Sequence, residues 1–194
     1  MTSEKGRKHL PPYVSYRTFY NFIERLQQHM PSRIDRSYWG ELLSGSNGTQ
    51  LMAALRFLSN ELKDKVCIEQ TLPEHQTVRA NRNKLIHLMV NLLQNSLDAL
   101  QAKSFNGEQP TIWIEGRVEN GACFLVVRDN GIGIENQHLD KIFDPFFTTK
   151  DVGQGMGLGL SICYRIMQES HGKISVRTER GKFCEFTLEF PAKG

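Results

Sequence analysis

Asn91-Leu-Leu-Gln-Asn95-Ser-Leu-Asp98-Ala99 decides how the chain folds, because apolar residues recur around it at helical spacing while three polar side chains break the pattern on one side. At about 100° per residue, Leu85, Leu88, Met89, Leu92, Ser96 and Leu100 share one broad arc that must pack on a sheet. Asn91, Asn95 and Asp98 cluster within about 60° beside that arc. They sit at the border of the core, where amide and carboxylate groups are half buried and need partners. Taken alone, such a pair of asparagines reads as an N-cap or a satisfied polar rim. Two amides one helical turn apart can also aim their carbonyl oxygens at one point. That suits Mg²⁺, a hard cation that prefers oxygen, keeps several waters and takes only one or two ligands from protein. Phosphate oxygens would supply the rest.

Outward from this stretch, the spacing predicts a helix over 83–103 and strands over 66–72, 111–118 and 122–128, the last two joined by the turn Glu119-Asn120-Gly121. A second helix is expected over 157–170, and a final pair of strands over 174–178 and 183–190 around Arg180-Gly181. Helices segregated from hairpin-joined strands argue for an α/β two-layer sandwich, a mixed sheet with helices on one face. Towards the N-terminus, residues 1–12 read as disordered. A helix is expected over 16–29, carrying Phe19, Phe22, Ile23 and Leu26 and stopped by Pro31. Ser44-Gly-Ser-Asn-Gly48 reads as a linker before a further amphipathic helix over 49–63, so a boundary is placed near residue 46. This divides the chain into a small helical appendage, 1–46, and a larger domain, 47–194.

Two glycine-bearing turns follow the strands and helix. Asp129-Asn130-Gly131-Ile132-Gly133 ends an apolar strand. An aspartate facing a cleft there can accept a hydrogen bond from the amino group of adenine, whereas guanine presents a carbonyl and is repelled. Gly131 and Gly133 would let the backbone pass close to the purine, although Asp-Asn-Gly also suits an ordinary tight turn. Gly153, Gly155, Gly157 and Gly159 run into Leu158, Leu160, Ile162 and Ile166, so a flexible loop feeds a helix N-terminus whose free N–H groups attract phosphate. No Gly-Lys-Ser/Thr follows, and the spacing is not Gly-x-Gly-x-x-Gly, so the P-loop and Rossmann patterns are both disfavoured. Between the turns, Phe143-Asp-Pro-Phe146-Phe147-Thr148-Thr149-Lys150 reads as a lid, with Phe146 and Phe147 as anchors and Lys150 in reach of a phosphate.

Composition narrows the class. The 194 residues are 39% hydrophobic, enough for a core. No apolar run approaches the roughly 20 residues needed to cross a bilayer, and residues 1–9 are polar and basic, so a cytoplasmic location is expected. Cys67, Cys123, Cys163 and Cys184 are widely separated, which points to reduced thiols rather than zinc or a disulfide framework. The net charge of +3 lies wholly in residues 1–46, a bias that favours a solvated surface over nucleic-acid binding.

In this order, the four motifs around Asn91, Asp129, Phe143 and Gly153 resemble the N, G1, F and G2 boxes of the sensor histidine kinase ATP-binding domain. That domain belongs to a wider superfamily with type II topoisomerases, mismatch-repair ATPases and a heat-shock chaperone. The resemblance covers residues 50–192, and Asp144-Pro-Phe-Phe-Thr-Thr-Lys150 is similar to the nitrogen-regulation type. It implies helices on a mixed sheet with Mg-ATP beneath a lid, and a catalytic pair in Asn91 and Asn95. Asn95 would ligate Mg²⁺ and Asn91 would lie at the metal and phosphates. Asp129 would bind adenine, and Gly155, Gly157 and Gly159 would wrap the phosphates. The implied nucleotide-binding set also takes in Asp98, Gly131, Gly133, Phe147, Thr148, Lys150 and Leu158. Residues 11–58 resemble a small helical domain family without known activity, which would make the chain a fusion.

Position 91 separates chemistries within the resemblance. The superfamily's hydrolases carry a glutamate there as general base on water, and an asparagine amide cannot take up a proton at neutral pH. ATP should then be spared for transfer to an imidazole. Such kinases carry a phosphoacceptor histidine followed by an acid and then a proline; none of His9, His29, His75, His87, His138 and His171 has that context. The expected partners are therefore a separate dimerisation and phosphoacceptor domain and, indirectly, a response regulator receiver domain. The alternative is a non-catalytic module of the same superfamily that signals by ATP-dependent lid closure.

Overall fold

The computed structural model describes residues 13–15, 66–72, 77–150 and 156–191. The helices expected over 16–29 and 49–63, together with Gly153 and Gly155, lie outside the described residues. Strands β1 (Tyr13–Ser15), β2 (Cys67–Thr71) and β3 (Thr77–Arg79) precede the long helix α1 (Arg82–Gln101). Then come β4 (Thr111–Glu119), β5 (Ala122–Asp129), helix α2 (Gly159–Glu169), β6 (Lys173–Glu179) and β7 (Phe183–Phe190). The main sheet is five-stranded in the order β2-β4-β5-β7-β6. Its β2–β4 pair is parallel and the other three are antiparallel, so the sheet is mixed, as expected.

Local chemistry explains these elements. Asn81 caps α1, its side-chain oxygen accepting from the N–H groups of Asn83 and Lys84 at 3.0 and 3.2 Å. Glu119 pairs with Ala122, leaving Asn120 and Gly121 as a two-residue loop. Both have positive φ, 51° and 80°. Asn-Gly is the pair that tolerates this backbone, and its twist matches the strands it joins. The unforeseen elements are β1 and β3, three residues each, which pair antiparallel with Val14 opposite Val78. They are too short for alternation to reveal them.

Alternation sorts the sheet into two faces. Ile112, Ile114, Leu125, Val127, Phe186 and Leu188 are buried together with Leu85, Leu88, Met89, Leu92 and Leu93 of α1 and with Cys163, Ile166 and Met167 of α2. Both helices therefore cover one face. On the other, Arg128 lies over the rings of Phe183 and Trp113, 4.4 and 5.9 Å from their centroids, and Arg177 pairs with Glu185 at 3.1 Å. The two-layer sandwich inferred from the sequence is the observed architecture. Its functional consequence lies at the junction of α1, the end of β5 and the start of α2.

Candidate functional site

Asn91 faces the start of α2. It is 8% exposed, and its buried Nδ2 meets no oxygen or nitrogen acceptor among the described residues, only the weakly accepting Cys163 thiol. An unpaired buried amide costs free energy unless a ligand or water meets it, so this group marks a place where something polar belongs. Gly159 opens α2 against it: a Cβ there would stand 3.5 Å from Asn91 Oδ1. Leu158 precedes α2 without a side-chain cap, so no cap hydrogen bond from its own side chain meets the first-turn N–H groups of that helix. Below, burial pushes the Cys163 thiol up to about 12, so it is a neutral packing group. Asn95 is half-buried one turn further along α1.

Asp129 ends β5 and is 2% exposed. One carboxylate oxygen accepts from the N–H of Gly131 at 3.0 Å, and the Ser96 hydroxyl is a second donor. Burial raises its pKa from an ordinary 3.8 to about 6, against the opposing pull of those bonds and of Lys103 and Arg128. Ser96 explains its own place on the apolar arc: a buried hydroxyl needs an acceptor, and Asp129 is that acceptor. The sequence reading assigned Ser96 to packing; a serine among leucines at helical spacing was the available signal.

The turn after Asp129 is held by chain packing. Asn130 accepts from the Thr111 N–H at 2.7 Å and donates to the Gln109 carbonyl at 2.9 Å, tying the turn to the start of β4. Ile132 N–H bonds the Ala99 carbonyl at 3.1 Å. A Cβ on Gly131 would stand 2.6 Å from the Ala99 carbonyl carbon, and one on Gly133 would stand 2.5 Å from the Glu179 carbonyl oxygen. Protein backbone occupies the space into which a side chain at either glycine would point. Gly131→Ala is therefore expected to destabilise the fold by about 1–3 kcal/mol through overpacking, read as a lower urea midpoint at unchanged slope.

The segment from 143 to 150 divides its aromatics. Phe143 packs against the core, its ring 5.6 Å from that of Tyr164, and half-buried Phe147 lies 5.5 Å from the His138 ring. Phe146, expected as a second anchor, is instead 74% exposed, with a positive φ of 67°. Consecutive residues in an irregular turn cannot both face the core, and Phe147 takes that side. Gly157, at φ 66°, lies where a Cβ would stand 2.6 Å from the Phe147 carbonyl oxygen, so the residues leading into α2 and this segment meet backbone to backbone. Thr148 Oγ1 accepts from the Lys150 N–H at 3.1 Å. The Lys150 ammonium forms an ion pair with Asp98 on α1.

The structure thus joins three pairs along α1: Asn91 with Gly159 at the start of α2, Ser96 with Asp129 at the end of β5, and Asp98 with Lys150. His87 is half-buried, with a pKa lowered by burial and an Nε2 without a partner among the described residues; His171, at φ 55°, turns the chain into β6. Among the described residues, no group of three or more His, Cys, Asp or Glu side chains could hold a metal ion, and no helix is long and apolar enough to cross a membrane.

Residues 80–194 match the family of histidine kinase-, DNA gyrase B- and HSP90-like ATPases, and the chain belongs to that family. Its fold is that of histidine kinase catalytic domains. The nucleotide-free catalytic domain of histidine kinase ThkA superposes with a TM-score of 0.57 at 28% identity, covering 81% of this chain and 96% of that domain. The sensor histidine kinase ZraS of Escherichia coli (strain K12) is 32% identical over 133 residues, which are 69% of this chain and 26% of ZraS. The C4-dicarboxylate transport sensor protein DctB of Pseudomonas aeruginosa is 34% identical over 99 residues, 51% of this chain and 16% of DctB. The chain spans about a quarter of the length of ZraS.

Proposed function

We propose that this chain is the Mg-ATP-binding catalytic domain of a sensor histidine kinase, donating the γ-phosphoryl group to a histidine supplied from outside the chain. The observations that carry the proposal are a buried amide on Asn91, set against the start of α2 with only the neutral Cys163 thiol beside it, and a buried carboxylate on Asp129 held by Ser96 of α1. One offers polar contact beside a helix N-terminus. The other can accept a hydrogen bond from a purine amino group.

In this reading Asn95 and Asn91 turn amide oxygens towards Mg²⁺, and the donor set fits that ion. Asn91 and Asn95 supply neutral amide oxygens, hard ligands of the kind Mg²⁺ prefers, and a cation that takes most of its ligands from water and phosphate needs few of them. When bound, Mg²⁺ neutralises charge on the phosphates. Asp129, held by Gly131 and Ser96, selects adenine. Gly155, Gly157, Leu158 and Gly159 meet the phosphates at the start of α2, and Phe147, Thr148 and Lys150 cover them. Asn91, lacking a basic site, leaves water unactivated, so positioning rather than hydrolysis is the task of the site.

In this proposal residues 1–46 are a separate unit, the chain works in the cytoplasm, and its partners are a dimerisation domain with the phosphoacceptor histidine and, indirectly, a response regulator receiver domain. Incubating the chain with γ-labelled ATP and a dimerisation-domain substrate is expected to give acid-labile, base-stable labelled phosphohistidine. Nucleotide binding without any label on the histidine would instead favour a module that signals through ATP-dependent partner affinity. Steady phosphate release without a partner would mean that a base other than residue 91 activates water.

A further inference from the structure

Asp98 is the one charged member of the polar stripe on α1, and both of its carboxylate oxygens are engaged. Oδ1 accepts from Gln94 Nε2 at 2.9 Å, and Oδ2 meets the ammonium of Lys150. Gln94 is four residues earlier on the same helix, so this bond fixes where the carboxylate points. Asp98 is three residues beyond Asn95, which puts their Cβ atoms about 5–6 Å apart. A carboxylate with no hydrogen to donate therefore stands beside the amides to which the nucleotide-binding reading gives the phosphates.

That placement opposes phosphate in two ways. The negative charge of Asp98 repels a polyanion directly, and its ion pair occupies the nearby cation that would attract one. Both effects grow with the charge of the ligand and vanish for an uncharged nucleoside. Asp98 is half-buried, its side chain 23% exposed, while Lys150 is exposed at 36%, so solvent reaches the pair from the lysine side and leaves the lysine free to move.

We propose that Asp98 is a specificity-determining counter-ion, which holds Lys150 until phosphate displaces it and so sets how steeply affinity rises with the number of phosphates on the nucleotide. The inference rests on the nucleotide-binding reading, and it gives Asp98 the opposite sign to a residue that contacts ATP favourably. Lys150 serves two partners in turn, Asp98 before binding and phosphate after it.

Calorimetric titration of the full chain, with Mg²⁺ present, would use adenosine, ADP and a non-hydrolysable ATP analogue. Removing one unit charge at about 6 Å in hydrated surroundings is expected to make Asp98→Asn bind the ATP analogue roughly three- to tenfold more tightly than the parent. The gain should be smaller for ADP and absent for adenosine. Lys150→Met should weaken the ATP analogue, and adding Asp98→Asn to it should restore part of the loss. Asp98→Ser, a second neutral replacement, should follow the same order and guards against a folding defect peculiar to one variant. Weaker or unchanged binding of the ATP analogue by both neutral variants overturns the inference, as does an equal gain for adenosine. A parent chain that binds ADP and ATP while the variants show no gain removes this inference alone. A parent that binds none of the three removes the nucleotide reading as well.

Discussion

Asn95→Ala is expected to abolish measurable Mg-dependent ATP binding while leaving the fold intact. Loss of a group that merely orients a metal ligand costs about 10–100-fold in affinity, so loss of the ligand itself should cost at least roughly a hundredfold. The helix should tolerate the change. Asn95 is half-buried at the edge of the apolar arc, and alanine has the highest helix propensity. Calorimetry with and without Mg²⁺, alongside a thermal melt, separates the two effects. An unchanged affinity with Mg²⁺ would remove Asn95 from the metal, and a collapsed melt would make its role structural.

The second large effect belongs to Asp129, through both substitution and pH. With its pKa raised by burial to about 6, the carboxyl gains a proton as pH falls through that value, and its capacity to accept from an adenine amino group fades. ATP affinity is therefore expected to fall by up to about tenfold per pH unit below 6 and to level off above 7. Stability should move the other way. The folded state holds this proton more tightly than the unfolded chain does, so the contribution of Asp129 favours folding below about 4 and is lost as pH rises through about 6. Asp129→Asn keeps an oxygen that can accept from Gly131 or Ser96 and removes the buried charge. It should bind ATP more weakly at pH 8, be at least as stable there as the parent, and lose the pH dependence of affinity near 6. A mutant with the parent's ATP affinity and pH profile would show that the purine contacts some other group.

Much of this was legible because the chain repeats itself locally. The apolar arc of α1 and the alternation along β5 and β7 announce their elements before any contact is known, since a helix or strand that buries one face must space its leucines and valines accordingly. Asn120-Gly121 announced the β4–β5 hairpin for an equally local reason, its tolerance of positive φ. Phe146 and Phe147 were not separable in the same way. Adjacent aromatics in an irregular turn carry no period, and which of them turns inward depends on what packs opposite, here His138 and the backbone at Gly157. What an added Cβ at Gly131 or Gly133 would meet, the Ala99 backbone and the β6–β7 turn, is likewise distant in sequence.

Sequence alone determined the sandwich and the membership of the polar stripe, because periodicity and backbone preference act between residues a few positions apart. The pairings across the site had to await the fold. Ser96 with Asp129, Asn91 with the start of α2, and Lys150 with Asp98 each join segments that only packing brings together. Burial, which lifts Asp129 and leaves the Asn91 amide with only a neutral thiol beside it among the described residues, is a property of everything around a group, and no stretch of chain contains it.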